Sequence, residues 1–479
     1  MRYLILFLFL VIGLFGCDNT SNDNAGSAYL GGEIINPKSD HVMVFNKDME
    51  LSDTLKLDAN NRFIHKIENV KPGVYSFFHG GEVQLVILEP NDSIMFRLNT
   101  YDFDESLVFT GEGARKNNYL IKLFVENEIE RKKLMKYAQK EPEYFIEFID
   151  KKYESAVEKF ENFIAKKDMS DFAKHIIKSN IDYHHFAKRE IYPFAYFGNN
   201  KLVHVMDLPE DFYDFRSEIN YNDIEINESY DYNLFLSAHI DNLALENYYK
   251  TKAYHSTFDR HEINYNLAKL ELVDSLITNP TIKNNLLRNK TYHFINNVNS
   301  DEEINIMFNH YLAKSTSEDD KNYMRKQVES IKKLRPGYGI PSLKIQNVKD
   351  ETYTISEVVN RPTLIYFWSS NNIQHYRNSH YRARELREKF PEMAFLSINT
   401  DNNLDKYWKN TLNKYKFSLK DEYRFVNPEE SLKSLAIGYV FKVIIVDKNS
   451  NIVHPNANIF NDDFEILLEE LKLKKELSF

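Results

Sequence analysis

Thiol chemistry has almost no material to work with in this chain: among 479 residues there is one cysteine, Cys17. A single thiol excludes an intrachain disulfide and a cysteine-built zinc site, and any dithiol reading has to answer that count. Glycine is scarce as well, at 14 residues, which argues against collagen-like or Gly-rich disordered material. No P-loop, GxGxxG or GxSxG occurs, so the phosphate-cradling, dinucleotide and serine-nucleophile signatures are missing. Positive charge is in deficit, with 61 Lys and Arg against 71 Asp and Glu and a formal net charge of −10. Such a chain has no overall attraction for phosphate backbones, and we expect no nucleic-acid partner. The short basic run Arg131-Lys132-Lys133 lies in a helical pattern and reads as a solvated face. Nothing in the pattern implies a cofactor or a bound metal.

What is abundant is core-forming material. Apolar residues make up 43% of the chain, with 34 Phe and 31 Tyr, beside 28% charged residues. A chain of this length and composition is expected to fold as several domains around ordinary cores.

The N-terminus carries its own signal. Met1-Arg2 gives a small positive start, and Tyr3 to Leu14 is nearly all apolar. That run is short for a membrane span and fits the apolar region of a signal peptide. It ends in Leu14-Phe15-Gly16-Cys17, which resembles the lipobox of bacterial lipoproteins, although Phe15 is bulkier than the small residue usual there. The resemblance implies cleavage before Cys17, lipidation of its thiol and acylation of the new N-terminus. Anchoring by several acyl chains is stable, at ~0.8 kcal/mol per buried CH₂. An ordinary signal peptide with a chance cysteine is the alternative. The expected division is a signal peptide at 1–16 and a polar, flexible tether at 17–27. The membrane would then be a partner through the lipid anchor. The place would be the cell envelope: the periplasmic face of the inner or outer membrane, or the cell surface.

From Ala28 to Phe109, short β-rich runs alternate with turns such as Asn36-Pro37, Lys71-Pro72-Gly73 and Pro90-Asn91-Asp92. This predicts a small antiparallel sandwich or barrel over 28–111. Gly31-Gly32-Glu33-Ile34, Pro72-Gly73-Val74-Tyr75 and Thr110-Gly111-Glu112-Gly113 make it similar to the β-domain that precedes thioredoxin-like domains in many Bacteroidota lipoproteins. Over 112–335 the periodicity is helical, with breaks at Tyr192-Pro193 and Asn279-Pro280; the second is a helix start with Asn279 as cap. Lys201–Tyr230 is less regular. His184-His185 with Glu190 lacks the HExxH spacing of a metal site and reads as a satisfied pair. Arg335-Pro336-Gly337-Tyr338-Gly339 reads as the last linker. From 336 to 479, strand and helix patterns alternate, which argues an α/β domain.

This last stretch resembles the TlpA-type thioredoxin-like disulfide reductases of bacterial envelopes. The match is carried by Gly339-Ile340-Pro341, Thr354–Val358, Asn360 to Ser370 with Phe367-Trp368, Ser397 to Asp401, Trp408, and Ile444 to Asp447 with Ile452-Val453. The resemblance implies a W-C-x-x-C loop at a helix start, where the helix dipole lowers the first thiol's pKa. Here those two cysteine positions are Asn372 and His375. The family's cis-proline position, six residues before the hairpin Asp447, is Phe441, where a cis bond would cost ~2.5–4 kcal/mol. The family's buried polar or acidic position before Phe-Trp is Tyr366. Thiol–disulfide exchange needs sulfur at both the attacking and the resolving position.

The expected architecture is therefore multidomain α+β: an N-terminal antiparallel β-sandwich or barrel, a central all-α region and a C-terminal thioredoxin-like α/β domain. The expected function is a redox-inactive, membrane-anchored envelope lipoprotein that binds a peptide or protein or serves as a scaffold, and is not an enzyme. Two alternatives stay open: a supporting component of a thiol–disulfide exchange system, and a different enzyme using His375. The bland reading of the loop has Asn371 or Asn372 capping the helix and His375 half-exposed in its first turn. His375 and His380 do not share a helix face at i,i+4 and make a poor ligand pair.

Overall fold

The structure is a computed structural model that describes residues 26–46, 50–196, 208–251, 258–370, 372–402, 405–438, 440–461 and 463–473. The signal segment 1–16, Cys17, most of the tether and Asn371 lie outside the described residues. The chain is multidomain α+β. Its contacts group into two compact units, one running to Lys132 and including Val157–Lys178, the other made of Lys133–Ala156 and Ser179–Phe479.

The first unit opens with β1 (Ala28–Ile35), β2 (His41–Phe45), β3 (Leu51–Lys56), β4 (Arg62–Ile67), β5 (Gly73–His79), β6 (Glu82–Leu88), β7 (Ser93–Asn99), the one-turn helix α1 (Phe103–Ser106) and β8 (Val108–Glu112). These strands form two four-stranded sheets, in the orders β4-β1-β7-β8 and β3-β2-β5-β6. Strict alternation buries Ile94, Phe96 and Leu98 of β7 and turns Ser93, Met95 and Arg97 outward, as a half-buried strand requires. Phe96 stacks on Phe77 of the other sheet with centroids 4.4 Å apart, and both sheets contribute to one core. A Cβ on Gly32 would lie 2.6 Å from the Phe96 ring, which explains the glycine there. The expectation of purely antiparallel pairing is corrected at one place: β1 and β7 run parallel. They are joined by a long excursion through the intervening strands rather than by a hairpin, and a parallel pair needs such a crossover. Strand β3 escaped the sequence pattern because almost all its residues are exposed, so no alternation marks it.

The helical region comprises α2 (Ala114–Tyr137), α3 (Pro142–Ile164), α4 (Asp171–Ala195), α5 (Tyr230–Thr251), α6 (Ile263–Leu276), α7 (Pro280–Asn297), α8 (Asp301–Lys314) and α9 (Glu318–Lys333), with two short 3₁₀ turns, Asp214–Glu218 and Ile224–Ile226, between α4 and α5. Asn279 caps α7 as expected, accepting from Thr281 and Ile282 N–H at 3.0 and 3.2 Å. Pro193 does not end its helix: α4 continues through it to Ala195. The last turn is held by packing, since Tyr192 is fully buried, stacks on Phe145 and donates its hydroxyl to the Lys140 carbonyl at 2.6 Å. Among the described residues no helix is long and apolar enough to cross a membrane.

Beyond α9 come β9 (Lys344–Asn347), β10 (Thr352–Thr354), α10 (Ile355–Val358), β11 (Thr363–Trp368), α11 (Ile373–Lys389), β12 (Ala394–Asn399), α12 (Asp405–Tyr415), β13 (Glu422–Phe425), α13 (Pro428–Ser434), β14 (Lys442–Val446), β15 (Ile452–Asn458) and α14 (Phe464–Leu473). The seven strands order as β10-β9-β13-β12-β11-β14-β15. Strand β11 pairs parallel with β12 and antiparallel with β14, and β14 turns back antiparallel into β15. All of β11 is buried, as expected of a central strand covered on both faces. The segment read as the last linker is tied at both ends. Arg335 donates to Asp301 and to the Val298 carbonyl. Gly337, Tyr338 and Ile340 exchange backbone bonds with Ser450 and Ile452.

Candidate functional site

The loop after β11 leads into α11 through Asn372, with His375 in the first turn of the helix. Asn372 is the N-cap of α11, and its side-chain oxygen accepts the His375 backbone N–H at 3.0 Å. Such a cap satisfies one of the orphan donors of a helix start. Upstream, Asp401 pins the loop: it accepts from the Ser369 hydroxyl, from Ser370 N–H at 2.9 Å and from the Asn399 amide at 3.0 Å. The expectation of an Asn cap therefore holds.

His375 is not half-exposed; its relative exposure is 5%. The rings of Phe441 and Phe460 lie 4.5 and 5.7 Å from it, centroid to centroid, both edge to face. Its Nε2 meets the Ser379 hydroxyl at 3.1 Å, while its Nδ1 is buried without a hydrogen-bond partner. Burial lowers its pKa from 6.5 to about 4, and the nearby His380 acts in the same direction. The imidazole is therefore neutral at pH 7 and shielded from an outside substrate. The fold brings Asn372, His375 and Phe441 to one end of the sheet, and none of them offers a thiolate. Among the described residues no peptide bond is cis.

A buried acid lies beneath this loop that the sequence pattern did not reveal. Glu422 of β13 meets His380 of α11 at 2.7 Å, and both are nearly inaccessible. His380 Nδ1 faces the Tyr376 carbonyl at 2.9 Å; since a carbonyl only accepts, Nδ1 carries a proton. A second proton is then held between Nε2 and the carboxyl. Tyr366 is buried beside this pair; burial, helped by the charge of Glu422, raises its phenol well above the usual range. A carboxyl thus sits close to Tyr366, supplied from another strand.

His184, His185 and Glu190 do not converge. His184 bonds Asp231 at 2.9 Å, and His185 faces Asp150. Glu190 is clasped by Arg216, His239 and Asn242. Burial works against the Glu190 carboxylate, but bonds from His239 and Arg216 prevail and hold its pKa below the usual value. The Glu190 carboxylate is thus held on both oxygens, as a fully buried carboxylate requires.

No family model matches the chain, and no curated protein matches it. Solved structures match part of it. The thioredoxin domain of a thiol-disulfide oxidoreductase from Bacteroides vulgatus is 17% identical, with 29% of this chain and 98% of that chain covered and a TM-score of 0.25. A thiol-disulfide oxidoreductase from Bacteroides fragilis is 21% identical, covering 28% of this chain and 98% of that one, with a TM-score of 0.23. A thiol:disulfide interchange protein from a Bacteroides species is 17% identical over 29% of this chain and 90% of its own, with a TM-score of 0.25. In each case the similarity covers less than a third of this chain.

Proposed function

We propose that the chain is a lipid-anchored envelope protein whose thioredoxin-like domain, residues 336–479, has lost thiol chemistry and holds a peptide or protein partner instead. In this reading residues 28–111 form a β-sandwich, and Cys17 carries the anchor, the polar residues to 27 being its tether. The observation that carries the reading is the pairing of Asn372 with the His375 N–H at the start of α11, in a chain whose sole cysteine is Cys17. An amide and an imidazole cannot form the mixed disulfide on which exchange depends. The helix start that would activate a thiolate is instead closed by a cap and by the Phe441 and Phe460 rings. The test is insulin-disulfide reduction with dithiothreitol as electron source. The purified full-length chain is expected to leave the rate at the uncatalysed level; a rate that rises in proportion to added protein would overturn the reading.

A further inference from the structure

A cleft of about 530 Å³ opens beside Phe441, between the C-terminal half of α7, the segment leading into β14, and the end of β15. Its lining is rich in hydrogen-bond donors and poor in acids. Lys442, His454 and His293 contribute basic nitrogens, Asn299, Asn458 and Asn461 contribute amides, and among the described residues Asp463 is the one carboxylate that lines it.

Lys442 is 8% exposed. Its ammonium donates to the carbonyls of Leu435 and Ala436 at 2.8 and 3.3 Å, and among the described residues it makes no ion pair. Those carbonyls follow directly on α13, Leu435 being its C-cap, so the lysine closes off the end of the helix. Capping accounts for two of the three N–H groups an ammonium carries. It supplies no counter-ion, and burial lowers the pKa of Lys442 from 10.5 to about 7, so the charge is only partly held near neutral pH and an anion beside it would restore it. His454 has a defined tautomer: its Nδ1 accepts the Asn456 N–H at 3.3 Å, so its proton sits on Nε2. That N–H has no partner among the described residues. The amide of Asn458 is oriented because its oxygen accepts the Phe460 N–H at 3.0 Å, which leaves its NH₂ to donate. The wall on the helical side is fixed to the hairpin by the Asn456 amide, which donates to the Asn296 carbonyl at 2.9 Å.

We propose that this cleft binds a small ligand bearing an anionic oxygen group, carboxylate or phosphate, received by the Lys442 ammonium and the His454 Nε2–H. Charge-assisted bonds of this type are about twice as strong as neutral ones. The inference does not depend on the loss of redox activity: an insulin assay of either outcome leaves it standing.

Isothermal titration calorimetry of the full-length chain at constant ionic strength tests it, with glutarate, inorganic phosphate and the neutral glutaramide as probes. Saturable binding of glutarate or phosphate is expected, with none for glutaramide, and the tighter of the two anions names the class. Lys442→Met removes the charge and keeps the length, and is expected to weaken binding about tenfold or more. Because that change also removes the cap on α13, His454→Ala serves as the second variant: it leaves the cap in place and is expected to weaken binding by a similar factor. If Lys442→Met does not fold, His454→Ala alone decides. The proposal is overturned if neither anion binds saturably, if glutaramide binds as well as glutarate, or if the folded variants bind like the unaltered chain.

Discussion

His375 gives up water for two phenyl rings and a serine hydroxyl, and that exchange has a pH signature. Its folded pKa is lowered by burial to about 4, from 6.5. Between those values the unfolded chain holds a proton that the native protein does not, so stability falls as pH drops through the window and is level above it. The groups that face the ring are Ser379 and His380 on α11, Phe441 ahead of β14 and Phe460 beyond β15, and none of these offers a carboxylate to retain the charge. The variant His375→Gln is expected to lose less stability than the unaltered chain on going from about pH 7 to about pH 5. Urea midpoints of both proteins at the two values measure this, and a difference between them that does not change with pH would sink it. Asn372 was legible as a cap, because Asn ahead of a helical pattern is a local signal. The burial of His375 was not legible: it is decided by Phe441 and Phe460, which approach from the far end of the domain. Glu422 was hidden for the same reason, since its partner His380 lies on another element.

Elements with a one-dimensional pattern could be read, and those without one could not. Strand β11 announces itself as an apolar run because it is buried on both faces. Helix α8, strands β9, β10 and β13 and helix α13 gave no such announcement; β9 and β13 are short and carry charged or polar residues. Contacts between elements were less visible still. A Cβ at Gly438, in the segment ahead of β14, would lie 2.3 Å from the Tyr292 hydroxyl and 3.0 Å from its ring carbon on α7. The missing side chain is therefore what lets this segment approach the helix. Gly438→Ala is expected to cost about 1–3 kcal/mol, the usual price of overpacking. Tyr292→Phe, by removing the hydroxyl, is expected to recover part of the loss. A double-mutant cycle by chemical denaturation reads this coupling, and strict additivity of the two changes would rule out the contact as its cause.

At the scale of the whole molecule, the linker inferred at 335–339 proves to be a strap. Pro and Gly made it look like a boundary, yet Arg335 holds Asp301 and the Val298 carbonyl on one side, and the residues after it bond to Ser450 and Ile452 on the other. Helices α5–α9 and the seven-stranded sheet fall within one compact unit, a grouping that composition could not reveal. Both tryptophans of the chain, Trp368 and Trp408, are fully buried in that unit. Indole fluorescence therefore reports its unfolding alone, whereas far-ultraviolet circular dichroism reports strands and helices of both units. In guanidinium chloride the two signals are expected to trace different curves, because coincidence of probes is the mark of a single cooperative transition. Arg335→Ala is expected to move the fluorescence curve to lower denaturant, by about 1–3 kcal/mol for bonds to a charged group. The part of the dichroism change that comes from β1–β8 should stay in place. Superimposable curves in the unaltered chain, or an equal shift of both signals in the variant, would mean that the units unfold as one and that the strap does not act within the second alone.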